Sequence, residues 1–190
     1  MPFYPKLIGV VGHPTHGKTT ALRVIQRLTG AVIFDTGEPL RRACMELYGL
    51  SWEDVSTQEG KARMVYRPEL GDTVTVRQAL GDYGKILERE SPDKNIWTTI
   101  AVDQAMQTLF PVLAFDSVRM GQGEVIQKRG GIVISIEDPR KPKSPHDFDQ
   151  FDPRFVDLSI SNASTLERFE RSIEFALAYS FPDDWTALAA

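Results

Sequence analysis

One cysteine in 190 residues is too few for an internal disulfide and too few for a cysteine-rich zinc site. A chain with Cys44 as its sole thiol fits a reducing compartment, so a cytoplasmic location is expected. Long apolar runs are also missing. The longest reach about half of the roughly 20 residues that a membrane-spanning helix needs. The opening Met1-Pro2-Phe3-Tyr4-Pro5-Lys6 lacks the charged start, apolar middle and small-residue cleavage site of a signal peptide, so no leader is expected. Basic excess is lacking too: 22 Lys and Arg stand against 26 Asp and Glu, and the pI is about 5.4. That balance excludes a general nucleic-acid coat protein, though not an enzyme that grips DNA with a local basic patch. Repeats and low-complexity segments are absent. What remains is 42% hydrophobic and 25% charged, enough to bury a core, and the length suits one domain.

Short apolar runs alternate with amphipathic stretches. This predicts an α/β fold, a parallel sheet of about five strands with helices on both faces. Strands are read at 6–11, 31–34, 111–115, 132–136 and 155–160. Helices are read at 18–28, 38–48, from about 52, 75–89, 95–109, 124–129 and from 164 onward. Leu40, Cys44 and Leu47 are expected inward on one helix, and Phe169, Ile173 and Leu177 on the last. Ser51, Thr75 and Ser164 each open a stretch with the spacing of a helix N-terminal cap. Residues 67–72 read as a loop, and 138–154, with four prolines and many charges, as a mobile loop. Residues after Pro182 read as a loose tail.

The strongest signal is Gly12-His13-Pro14-Thr15-His16-Gly17-Lys18-Thr19, which fits the P-loop pattern G-x-x-x-x-G-K-[ST] between a strand and a helix. The glycines let backbone N–H groups wrap phosphate oxygens, and the helix N-terminus adds its positive end. Lys18 is expected to reach the β- and γ-phosphates and Thr19 to ligate Mg²⁺. Gly12, His13, Thr15, His16, Gly17, Lys18, Thr19 and Thr20 form the candidate nucleotide cradle. His13 and His16 are metal-ligand types, but their neighbours cradle phosphate, so loop-shaping or solvated histidines are expected. Asp116 closes an apolar strand, where a carboxylate can hold the Mg²⁺ shell or cap a turn. Arg119, three residues on, can clamp a phosphate or form a surface ion pair.

Several further segments follow in order. They are Glu38-Pro39-Leu40-Arg41 with Leu47-Tyr48-Gly49-Leu50, Arg77 to Gly84, Asp93 to Trp97, Asp116 to Glu124, Gly130 to Ile134, and Asp157 to Asn162. Together with the P-loop they resemble the phage deoxynucleoside monophosphate kinases, a branch of the small P-loop kinases, from about residue 6 to 177. The resemblance implies one P-loop kinase domain over 1–190, with an acceptor-binding insertion at about 36–95 and a lid at about 138–154. It implies ATP as donor with Mg²⁺, and Arg41, Arg77 and Trp97 on the acceptor side. A homodimer and a phage-encoded enzyme in the host cytoplasm are compatible with it. Arg140, Lys141 and Lys143 occupy the lid position, where cations neutralise charge on the transferred phosphoryl group; the alternative is a solvated charge run.

The chain also departs from that pattern. Thr19 follows Lys18, where those kinases often carry Asp, and the chain is short for the family. Asp35 ends the second strand, where phage nucleotide kinases tend to have a small or neutral residue. More distant relatives with Asp there, the dephospho-coenzyme A and polynucleotide kinases, phosphorylate a hydroxyl. A monophosphate offers an oxygen that is already anionic, whereas a hydroxyl must lose a proton during attack. Asp35 is therefore read either as a general base or as the cap of the following helix.

Three functions follow from the sequence. The first is an ATP-dependent kinase acting on 5-hydroxymethyluracil in phage DNA, with modified DNA as partner. Arg41, Arg42, Lys61, Arg63, Arg67 and the lid cations would contact its backbone, and Trp52, Tyr66 and Trp97 would stack on a base or pack. The second is a deoxynucleoside monophosphate kinase. The third is a P-loop binding module without phosphotransfer.

Overall fold

A computed structural model of the chain describes residues 4–145 and 149–182. The first three residues, residues 146–148 of the expected lid and the expected tail from 183 lie outside the described residues. In chain order the elements are β1 (Lys6–Val11), α1 (Lys18–Thr29), β2 (Val32–Asp35), α2 (Glu38–Tyr48), α3 (Trp52–Ser56) and α4 (Gln58–Ala62). They continue with β3 (Met64–Arg67), β4 (Asp72–Thr75), α5 (Val76–Glu90), α6 (Ile96–Met106) and β5 (Val112–Asp116). The last are α7 (Gly123–Gln127), β6 (Ile132–Glu137), β7 (Leu158–Ser161) and α8 (Leu166–Ser180). The described chain divides into two units, one running to Thr36 and resuming at Val102, the other Gly37–Ala101.

The first unit is built on a five-stranded sheet in the order β2-β5-β1-β6-β7, every pairing parallel. Side chains alternate across a strand, so each strand buries two faces. Ile8 and Val10 join Ala114, Ile134, Ile136 and Ile160 against Ile25 of α1 and Phe169, Ile173 and Leu177 of α8. Leu7, Val11, Leu113, Phe115 and Val133 form the opposite layer with Val102 and Ala105 of α6 and Ile126 of α7. Helices thus cover both faces, as near-continuous apolar strands require. A fully buried side chain of this kind contributes roughly 1.5–3 kcal/mol.

In the second unit Cys44, Val55, Val65, Val74, Val76, Ala79 and Leu80 form a separate core. Ser51 makes a complete capping box with Asp54, and Thr75 caps α5 by accepting from the Gln78 N–H. Three expectations are corrected. Residues 67–72, read as a loop, include the paired strand ends Arg67 and Asp72, and only 68–71 form the turn of an antiparallel hairpin between β3 and β4. Leu47, expected inward, is 47% exposed, because Leu40, Cys44 and Tyr48 already fill the buried side of α2. The cap of α8 is Thr165, whose hydroxyl accepts from the Arg168 N–H, and not Ser164.

Candidate active site

The phosphate loop connects β1 to α1 in the first unit, and backbone geometry explains its glycines. Gly12 has φ 145°, and a Cβ there would stand 2.4 Å from the Ile136 carbonyl oxygen. Gly17 has φ 106°, and a Cβ there would meet the Asn162 amide at 2.5 Å. Both are conformations that side chains other than hydrogen rarely adopt. Thr15, at φ 66°, completes the reversal that brings the chain into α1. Gly17 provides no side-chain cap for α1, so the first-turn N–H groups face the loop as donors for an anion. Lys18 Nζ donates to the carbonyls of Gly12 at 2.7 Å and His13 at 3.0 Å. Burial lowers the Lys18 pKa, Asp116 and Asp149 act to raise it, and Arg119 lowers it further. Thr19 and Thr20 are exposed at the start of α1.

Two carboxylates stand beside this loop. Asp35 ends β2 and Asp116 ends β5, and they are register partners in the parallel pair. Ile33 and Ala114, two residues earlier in each strand, face α1, while Phe34 and Phe115 face the other layer with ring centroids 6.0 Å apart. Alternation therefore puts Asp35 and Asp116 on the α1 face, on strands about 4.8 Å apart. The Asp116 carboxylate accepts from the Ser117 N–H at 2.6 Å. Thr36 binds the two strand ends together: its N–H and hydroxyl donate to the Asp116 carbonyl, and the hydroxyl also to that of Ser117. The N-cap residue of α2 is Gly37, not Asp35. Arg119 is exposed on the loop after β5, its N–H bound by Gln122.

Arg140 and Lys141, on the segment expected as a lid, are held by neighbouring groups. Arg140 makes a two-point ion pair with Asp138, at 2.8 and 3.0 Å, and donates to the Asn162 carbonyl at 2.7 Å. That pairing holds the Asp138 carboxyl down at about 2. His13 and His16, expected as loop-shaping or solvated, are 3% and 2% exposed, so solvation is ruled out. Asp138 and Asn162 escaped the sequence reading, although each directly follows a parallel strand. Ligand sites of such sheets gather beyond the carboxyl ends of the strands, so a scan of those positions would have found both.

The remaining sequence-expected residues belong to the second unit. Arg77 donates to the Gln58 side chain. Arg41 is half-buried on the first turn of α2. Trp97 is 7% exposed, donates to the Gly84 carbonyl and packs on Tyr83, so its stacking on a base is replaced here by packing. Arg67, expected on DNA, is 4% exposed and tied to Asp72 and Asp82. Arg42 and Arg63 pair with Glu38 and Asp54. Trp52 and Tyr66 are exposed, at 46% and 58%.

The parallel order of the sheet and the loop between β1 and α1 settle the architecture. The fold is that of the P-loop kinases. Dephospho-CoA kinase from Campylobacter jejuni superposes with a TM-score of 0.52, at 15% identity, covering 93% of this chain and 98% of that one. Shikimate kinase from Aquifex aeolicus does so with a TM-score of 0.51, at 13% identity, covering 93% and 99%. At those identities the likeness concerns the fold alone. In sequence, the chain is 28% identical over 187 residues to a protein of Acanthamoeba polyphaga mimivirus, provisionally named a deoxynucleotide monophosphate kinase. That alignment covers 88% of this chain and 93% of the viral protein. No protein-family model matches the chain. Among the described residues, no helix is long and apolar enough to cross a membrane.

Proposed function

We propose that this chain is an ATP-dependent phosphotransferase whose acceptor is a deoxynucleoside monophosphate. The observation that carries the proposal is the phosphate loop beside two in-register strand-end carboxylates, in a chain similar along nearly its whole length to the viral protein so named. The loop N–H groups and the first turn of α1 hold the donor phosphates. Lys18 exchanges the Gly12 and His13 carbonyls for phosphate oxygens. Arg119 and Arg140, with Lys141 and Lys143, offset charge on the transferring group. Arg41 and Arg77, in the insertion expected to bind the acceptor (about 36–95), receive the acceptor phosphate.

The residues present fit Mg²⁺, which takes oxygen donors and near-octahedral geometry through one or two carboxylates plus phosphates. Thr19 and Asp116 would hold it, with Asp35 in the outer shell. Bound there, it would supply positive charge that neutralises the donor phosphates. Among the described residues no cluster of three or more His, Cys, Asp or Glu forms a metal cage of its own, so this ion would depend on the donor phosphates.

Asp35 favours a second acceptor class. A strand-end carboxylate on the α1 face supports reading Asp35 as a base for a hydroxyl. On that observation the alternative is a kinase acting on the hydroxymethyl group of 5-hydroxymethyluracil in DNA. The test offers labelled ATP and Mg²⁺ with a mixture of deoxynucleoside monophosphates. Labelled diphosphates are expected. Label that enters only 5-hydroxymethyluracil DNA, with none in thymine DNA, would replace the first acceptor by the second.

A further inference from the structure

The second and fifth residues of the phosphate loop are histidines whose rings touch neither solvent nor the loop's own backbone bonds. His16 Nδ1 accepts the Asp138 N–H at 3.0 Å, and His16 Nε2 lies 3.2 Å from the Pro142 carbonyl. An N–H can only donate and a carbonyl can only accept, so these two partners fix His16 as the neutral tautomer with its proton on Nε2. His13 Nδ1 accepts the Ser144 N–H at 3.3 Å. The two rings pack edge to face with centroids 5.3 Å apart, and His13 also packs on Phe151, 5.7 Å away. Lys141 Nζ adds a bond to the Thr15 carbonyl at 2.7 Å. The segment 138–144, a strap after β6, is thus tied down at four points along the loop.

The return leg is fixed as well. Met120 N–H donates to the Gln150 carbonyl at 2.8 Å, and Asp152 N–H to the Met120 carbonyl at 2.9 Å. Phe151, between them, touches His13, so the strap joins the phosphate loop to the loop that carries Arg119. An unpaired buried imidazole would be costly, and here each ring is used as a fastening.

We propose that His13 and His16 are positioning residues that dock the 138–144 strap on the phosphate loop, and so set where Arg140, Lys141, Lys143 and Arg119 stand for phosphoryl transfer. The role in transfer rests on the phosphotransferase reading above; the docking itself does not.

The experiment measures amide exchange in the full chain without nucleotide, for wild type, His16→Leu, His16→Gln and His13→Phe. The Asp138 amide is expected to exchange roughly tenfold faster in His16→Leu, the effect of losing one hydrogen bond. Its protection should largely return in His16→Gln, which offers both an acceptor and a donor. The Ser144 amide should quicken in His13→Phe, while the Val10 amide in the sheet stays protected. Unchanged exchange at Asp138 and Ser144 with Val10 intact would overturn the proposal. If the variants lose the protection of Val10, the ¹⁵N spectrum of wild-type His16 decides: the Nε2–H tautomer supports docking and the Nδ1–H tautomer overturns it. In the transfer assay, His16→Leu should lower kcat more than it raises KM for ATP, because the cations it positions act on the transferring group, and His16→Gln should recover most of the loss. A chain that shows the exchange pattern but transfers no phosphate would sink the enzyme reading and leave the docking standing.

Discussion

Asp35 and Asp116 are register partners at the carboxyl ends of β2 and β5, and both point to the face covered by α1. Two like charges on neighbouring strands repel, so a cation between them is favoured. The pair is therefore the part of the site whose chemistry is most sharply constrained.

Substitution separates the two carboxylates. Asp116→Asn should lower Mg²⁺-dependent transfer by about 10²-fold or more, since a metal ligand contributes several kcal/mol of charge stabilisation. Asp35→Asn should change transfer to a monophosphate only a few-fold. With a hydroxyl acceptor the same change should cost about 10²–10⁴-fold while ATP affinity holds. Initial rates for both variants with both acceptors decide the role of Asp35.

Glycine substitutions should rank by geometry. Gly12→Ala and Gly17→Ala meet both a disfavoured φ and a close neighbour, whereas Gly30, at φ 68°, has nothing within 4 Å of an added Cβ. Gly30→Ala should cost about 1 kcal/mol. Gly12→Ala should cost more, because it also forces β1 away from the Ile136 carbonyl, and it should abolish nucleotide binding. Urea unfolding of the two variants checks the order, and equal losses would contradict it.

Acid should loosen the strap. Burial is the main cause that lowers the His13 pKa; His16, Lys143 and Lys18 lower it further, and Glu137 opposes them. A folded pKa below the ordinary 6.5 means the neutral ring contributes stability that is complete above 6.5 and is lost as pH falls through the folded value. A protonated Nδ1 also presents a donor to the Ser144 N–H. Exchange at Ser144 should quicken as pH drops below 6.5, after correction for intrinsic rates, and His13→Phe should remove the dependence. Asp138, held at about 2 by Arg140, should keep its ion pair through this range.

In the second unit, Arg67 is 5% exposed in its side chain and serves Asp72 and Asp82 at once. Arg67→Met removes the shared cation and leaves two carboxylates without their partner. The thermal midpoint should fall by several degrees, and the fall should shrink in high salt. An unchanged midpoint would show that the ion pairs contribute nothing net.

Much of the fold was legible because its signals are local. Apolar runs mark the five strands, and the glycines and Lys18 mark the loop. The hairpin was not legible, since β3 and β4 are four residues each and bury only Val65 and Arg67 of β3 and Val74 of β4. The inward place of Leu47 failed because helical spacing names a stripe and not its edge. The strap was read as a mobile loop because its fastenings join residues 122 and 131 positions apart, His16 with Asp138 and His13 with Ser144. No periodicity reports a contact of that range. Of the two readings for Trp97, stacking on a base or packing, burial favours packing, while Arg67, expected on DNA, serves an internal ion pair.

Phosphate transfer from this loop to an acceptor can be followed as ADP formation from Mg·ATP, with and without a mixture of deoxynucleoside monophosphates, in wild type and in Lys18→Ala. ADP formation should require the acceptor and disappear in the variant, while the variant stays folded. Acceptor-dependent ADP formation that persists without Lys18, or none in the wild type with any acceptor offered, would contradict transfer by this loop.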